Sequence, residues 1–492
     1  MKTGNRLPRR IHISRQIAGL CIGLVIGIAL SALLSLNFAA SHLWLAGTIL
    51  LITLSLSRRS AKFVALATVA GLCLGIWRGA NEQRALAYYQ PYIGTSVAVS
   101  GRVNEDTSLG ERGDTRMQLV DVRIDGKPMH GKVWASTTTK RTLKRNDTVT
   151  LSGKLKDGFG NIPASMSGAT LVSVAQTSKG DYALGVRDWF AAGIREAVPE
   201  PQASLGSGFL TGQHSNLPGD LDEQLRIVGL THAVVASGSN LTILVGFMRR
   251  SLLRVSKYSA TLAGGLMIVG FVMVAGMTPS MTRAGLVTGL SLAAWYYGRR
   301  INPLVLLPLA AGITTMYNPS YIWGDLGWYL SFGAFLGVLV VAPLFQHYFW
   351  GKDYKPNIIM ETFIGTTAAQ ITTMPIILFS FGTLSSYALI ANILVVPLIP
   401  LAMLLTFAGG IAGVLLPGIA ALVGWPAAMV MKYMTVVINK TASLPGSQAE
   451  LTYGLLALIA SYLVLVLAIV YMHRITGHTF GKDRSILIGE RP

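Results

Sequence analysis

Residues 218–247, PGDLDEQLRIVGLTHAVVASGSNLTILVGF, decide how the chain is read. The stretch opens as a helix start, with Pro218 ahead of Asp220, Asp222 and Glu223. After Arg226 it carries no formal charge through Phe247, a run long enough to cross a bilayer. Within that run stand His232, Ser237, Gly238, Ser239 and Asn240. Polar groups at membrane depth are costly unless they face protein or water. The stretch therefore reads as the wall of a polar cavity rather than as a lipid-facing anchor.

The rest of the chain supports a membrane setting. Charged residues make up 13% of the sequence, about half the share of a soluble protein. Apolar runs at 17–36, 43–56 and 63–77 precede a polar region. Runs at 229–248, 260–277, 283–298, 303–317, 328–345, 358–380, 387–416, 420–438 and 451–472 follow it. These predict a polytopic α-helical membrane protein of about 12 spans. The net charge of +19 invites a nucleic-acid reading. Roughly half of the Lys and Arg, however, fall in loops that this topology places in the cytoplasm, the usual positive-inside bias. Charge alone is thus no argument for DNA. The orientation that follows is a bacterial cytoplasmic-membrane protein with both termini inside. The two cysteines, Cys21 and Cys73, lie in predicted spans and indicate neither a disulfide framework nor a metal site.

Five organisational segments emerge. Residues 1–90 hold three membrane helices. Residues 91–178 contain short alternating runs (SVAVSGRV, RMQLVDVRI, GKVWAST, TVTLSGKL, ATLVSVAQ) separated by turn signals. They predict an inserted, extracytoplasmic small β-barrel, with the OB-fold as first choice. Strand-gripping barrels of that kind use aromatic platforms, and this one offers little beyond Trp134 and Phe159. A structural or docking role and direct DNA contact both stay open. Residues 179–212 read as an amphipathic connector lying in the membrane surface, with Trp189, Phe190, Ile194 and Val198 on one side. The main membrane body covers 213–472, and 473–492 is a basic cytoplasmic tail.

Each polar candidate has a plain reading beside the functional one. His232 could bond a neighbouring backbone and do nothing more. Ser237, Gly238 and Asn240 could serve only close helix packing, or could break the helix and line a hydrated path. Arg283, at the start of an apolar helix, could snorkel or meet a passing phosphate bidentately. Arg226 is a second cation at the mouth of the central stretch. Asp220, Asp222 and Glu223 form an acidic mouth, or simply complement a helix dipole. Asp325, Gln370 and Asn392 are further polar groups in or beside spans. No Gly-Lys pair has P-loop spacing, and the histidines form no H-x-H-x-D-H or H-E-x-x-H cluster. Neither an ATPase nor a nuclease is expected, nor any metal or cofactor.

The pattern E-x-x-R-x-x-G-L-x-H-x-x-x-x-S-G-x-N from Glu223 to Asn240 resembles the signature of the ComEC family, inner-membrane channels of natural competence. PSMTRAGLVTGL (279–290) is similar to that family's "RA" helix. GWYLSFGAFLGVLVVAPLF (327–345) is similar to its "G-x-x-L-S-F" helix, and 368–401 to its "Q…P…F/G…S…A/N…P" region. The layout of three helices followed by a barrel also matches. Two departures stand out. Many relatives have His where Asn240 stands, which weakens any acid–base role there while leaving hydrogen bonding intact. Many relatives also carry a C-terminal metallo-β-lactamase-like domain, and this chain reads as a form lacking it.

The resemblance implies a channel for single-stranded DNA during transformation. Its expected partners are membrane lipid, a competence pilus or DNA receptor outside, a separate nuclease, and a cytoplasmic ATPase with single-strand-binding proteins. The path residues would be Arg226, His232, Ser237, Gly238, Asn240, Arg283, Asp325, Gln370 and Asn392. A transporter of a small anionic or lipid substrate is the alternative. An intramembrane enzyme using His232 with Asp220 or Glu223 is a third possibility.

Overall fold

The computed structural model describes residues 12–34, 37–109, 113–139, 143–176, 181–213, 217–234, 237–299 and 302–478. Most of the basic N-terminal stretch and of the basic tail lies outside them. The fold is mostly helical, and it divides into two units. The first comprises Met1–Asp181 with Leu304–Trp328, and the second Tyr182–Pro303 with Tyr329–Pro492.

Helices α1 (Ile13–Leu34) and α3 (Ala61–Leu86) form the spine of the first unit, with α2 (His42–Leu56) against α3. Glycines repeat every four residues on both spine helices, at 19, 23 and 27 and at 71, 75 and 79, so each helix shows a bare backbone stripe to the other. A Cβ at Gly23 would overlap the Thr68 carbonyl, and one at Gly71 would overlap that of Leu20. At such close approach dispersion and Cα–H···O contacts replace hydrophobic burial as the attraction.

The same unit carries the barrel. Its strands are β1 (Ser96–Val103), β2 (Thr115–Ile124), β3 (Val133–Thr137), β4 (Thr148–Lys154) and β5 (Ile162–Ala175). They close in the order β1-β4-β5-β3-β2-β1, antiparallel except for the parallel pair β3–β5. Alternate residues turn inward: Val97, Val99 and Val103 from β1 meet Leu119, Val149, Leu151 and Met166. The expected strands and their alternation are thus present as a five-stranded barrel. Two polar joints fasten it to the helices of its unit. His130 Nε2 lies 2.8 Å from Glu82 Oε1 of α3, and Arg78 closes on the other carboxylate oxygen at 2.8 Å. At the second joint Asn161, in the turn before β5, donates to Asp325 at 2.6 Å.

In the second unit α4 (Tyr182–Ala197), α5 (Gln202–Thr211), α6 (Gly219–Ile227), α7 (Thr231–Val234), α8 (Gly238–Leu253), α9 (Lys257–Ala275) and α10 (Pro279–Tyr296) come first. The chain then visits the first unit through α11 (Pro303–Tyr317) and returns as α12 (Leu326–Leu336). A π-helical turn, Gly337–Val341, joins α12 to α13 (Ala342–Trp350). After these come α14 (Ile358–Phe381), α15 (Ala388–Val395), α16 (Ile399–Leu415), α17 (Pro417–Ala442) and α18 (Leu455–Thr476).

The structure differs from the expectations at two places. Among the described residues eight helices are long and apolar enough to cross a membrane, with two shorter apolar ones, His42–Leu56 and Leu304–Tyr317. The expected spans outside that set are 283–298, most of which is α10 with Arg283 and two glycines in it, and 229–248, which is broken. Of the segment expected along the membrane surface, α5 is packed inside, while α4 keeps Tyr182, Val186 and Trp189 exposed. Every residue of α5 from Ala203 to Thr211 is buried, and α4 lies against α16, where a Cβ on Gly413 would overlap the Gly193 carbonyl.

Replacing Gly71 by Leu should force α1 and α3 apart and cost about 3 kcal/mol or more, as overpacking does, read as a lower unfolding temperature in detergent. An unchanged midpoint would contradict the close packing. The Glu82 hydrogen bond raises the His130 pKa above its ordinary value, against a smaller opposing effect of burial and of Arg78. Stabilisation from this contact should therefore be complete below roughly pH 6.5 and fade as pH rises through the shifted value. An NMR titration of His130 should place its pKa above the ordinary one, and His130→Gln should remove that pH dependence from barrel protection against protease.

Candidate functional site

The charge-free run of the central stretch is not one helix. Asp220 and Asp222 sit in the first turn of α6, exposed, where they complement the helix dipole. Glu223 and Arg226 pair with each other at 3.2 Å on the same exposed face, while Leu221 and Leu225 anchor the opposite one. The acids and Arg226 are thus engaged locally. Gly229 ends α6 in the left-handed region (φ 69°), a conformation that costs any other residue strain. The single turn α7 follows. His232 on it is exposed. No carboxylate among the described residues comes within ion-pair distance of it.

Helix α8 restarts at a serine cap. The Ser237 hydroxyl accepts from the Asn240 backbone N–H at 3.4 Å, donates to Asn240 Oδ1 at 3.0 Å, and lies 2.6 Å from the Ser239 hydroxyl. Asn240 is fully buried, and its Nδ2 donates to the Phe209 carbonyl of α5 at 3.2 Å. It therefore ties two helices together rather than facing a path. Ser237 and Gly238 are half-buried, and Ser239 is exposed.

Beside this start stands α10, capped by Thr278, with Pro279 at its first position. Its Ala284 and Arg283 reach Gly238: a Cβ there would stand 2.9 Å from Ala284 Cβ and 3.3 Å from Arg283 Nη2. The guanidinium lies over the rings of Phe332 and Phe335 of α12, at 5.9 and 5.4 Å. Its Nε is shielded from solvent and has no acceptor. Ser237, Gly238 and Arg283 are thus brought together, with His232 one turn upstream. Hydroxyl pairs extend the polar lining, Thr242 with Thr288 at 3.5 Å and Ser280 with Ser331 at 3.4 Å.

The remaining candidates are occupied elsewhere. Asp325 belongs to the first unit, where it accepts from the Trp328 N–H at 2.8 Å and holds Asn161. Asn392 is buried and donates to the Ala388 carbonyl of its own helix at 2.7 Å. Gln370 is half-buried on α14. The α12 residues Ser331, Phe332 and Phe335 were missed as site residues, although the "L-S-F" spacing marks them. The Phe209 carbonyl carries no side-chain signal at all. Among the described residues no three His, Cys, Asp or Glu gather as metal ligands.

A search for relatives finds ComE operon protein 3 of Bacillus subtilis (strain 168), 23% identical over 243 residues, which is 49% of this chain and 30% of that protein. The chain thus matches under a third of the curated relative's length. No solved structure matches. The profile of the competence protein family matches residues 209–475, taking in the broken stretch, α10, α12 and all later helices. Since that is more than half of its length, the chain belongs to the ComEC-type competence protein family.

Proposed function

We propose that this chain carries single-stranded DNA across the bacterial cytoplasmic membrane during natural transformation. The family gives a role in DNA uptake for competence. The observation that carries the finer reading is the broken stretch: a helix interrupted at 228–237 among apolar spans, with hydroxyls and the Arg283 guanidinium gathered at the break. Backbone that leaves the helix in a membrane is tolerated where protein or water satisfies it, and polar residues beside it mark transport paths. In this reading the chain supplies a path and no covalent chemistry.

The barrel's closed order, with its third and fifth strands parallel, supports reading it as OB-type and extracytoplasmic, a vestibule for DNA delivered by a pilus or receptor. Phe159, exposed and edge-on to Trp134 at 5.9 Å, is its best candidate platform. Both termini then face the cytoplasm. A separate nuclease would remove one strand, and an ATPase and single-strand-binding proteins would draw in the other.

Deleting the chain from a transformable host should leave surface-bound labelled DNA normal and reduce internalised DNA to background, with wild type restoring it. Normal internalisation in the deletion strain would overturn the proposal. Asn240→Leu leaves the Phe209 carbonyl without the amide that meets it and removes the side-chain acceptor of the Ser237 hydroxyl. It should lower the unfolding midpoint by the equivalent of about 1–3 kcal/mol and reduce internalisation in parallel.

A further inference from the structure

We infer that Arg283 and the start of α8 form one binding site for a phosphodiester monoanion. The inference deepens the DNA reading above by naming what the break holds. The Ser237 hydroxyl takes the Asn240 N–H. The N–H groups of Gly238 and Ser239, at the first two helical positions, have no intrahelical acceptor and carry the positive end of the dipole of a 16-residue helix. Such an end binds anions.

Arg283 supplies the independent second half. The residue is half-buried, its Nε is shielded from solvent and has no acceptor, and no carboxylate among the described residues lies within ion-pair distance. Two phenylalanine faces are its neighbours, and they offset little of the cost of a half-buried cation. Its terminal nitrogen is aimed at Gly238, and the missing Cβ at that position is what allows the guanidinium to approach the helix end. The exposed Ser239 hydroxyl adds a third kind of donor.

One guanidinium and one helix end make a site for a single negative charge with several acceptor oxygens. Arginine's planar fork suits two oxygens of one tetrahedral phosphate. The phosphodiester linkage of a nucleic-acid strand has that chemistry, and so does the headgroup of an anionic phospholipid.

The test reads the site locally, whatever other basic surfaces bind the strand. In a Cys21→Ala, Cys73→Ala background, full-length protein with Ser239→Cys is placed in phosphatidylcholine nanodiscs and labelled with a water-soluble maleimide. Oligothymidylate should slow labelling about tenfold, the same oligomer with uncharged methylphosphonate linkages should not, and Arg283→Gln should abolish the protection. Arg283→Lys should restore part of it. Protection by phosphatidylglycerol nanodiscs without DNA, lost on Arg283→Gln, would support the site and assign it to a headgroup. Equal labelling with charged and uncharged oligomers overturns the site, and it does so in unmodified Arg283, where misfolding of a variant plays no part. The DNA reading fails by a different result, normal internalisation in the deletion strain.

Discussion

A peptide group that leaves a helix among apolar spans must find a partner within the protein, because hydrocarbon offers none. The second unit is arranged around one place where this demand is met. Between Val228 and Ser237 the helical ladder is interrupted twice. Gly229 absorbs the first turn, Ser237 closes the second, and Asn240 hands its amide to the Phe209 carbonyl. An all-apolar version of this stretch would cross the membrane as one uninterrupted helix, and the hydroxyls, the free helix start and the approach to Arg283 would all vanish with the break.

Holding such a break in place requires close-packed surroundings, and in both units glycines let helices approach backbone to backbone. In the first unit glycine stripes seat α1 on α3. In the second, Gly193, Gly413 and Gly424 let α4, α16 and α17 approach backbone to backbone, with α5 enclosed beside them. Helices that touch through backbone have little freedom to slide, since each carbonyl sits where a side chain would otherwise be. The Asn240–Phe209 hydrogen bond therefore has a fixed counterpart on α5.

Much of this was legible from residue patterns. Alternation in 96–103 and 115–124 indicated strands because one face of each is core. Apolar runs indicated spans because length and charge depletion suffice. The burial of α5 was not legible for a physical reason: QASLGSGFLT is rich in small residues, which score as neither core nor surface until a partner helix comes close enough to bury them. The break at Gly229 was not legible because an apolar run says nothing of whether the helix continues through it. Asp325 and Asn392 were legible as polar groups in unusual places, but their hydrogen bonds to a turn and to their own helix belong to the fold. Arg283 was legible as a candidate, while its lack of an acceptor is a property of its neighbours and had no signature in the chain.

The burial of α5 bears on how this protein is made. Its covering helices, α16 and α17, begin at Ile399 and Pro417, long after Thr211 has left the ribosome. At ordinary elongation rates the interval is roughly 10 to 40 seconds. Throughout it, a ten-residue segment with two serines, a threonine and three Ala or Gly must wait without its eventual enclosure. The Phe209 carbonyl can receive Asn240 early, within the first part of the unit. Biogenesis thus has two stages: the polar break can form locally during synthesis, but the box that immobilises it closes only when the last third of the chain arrives.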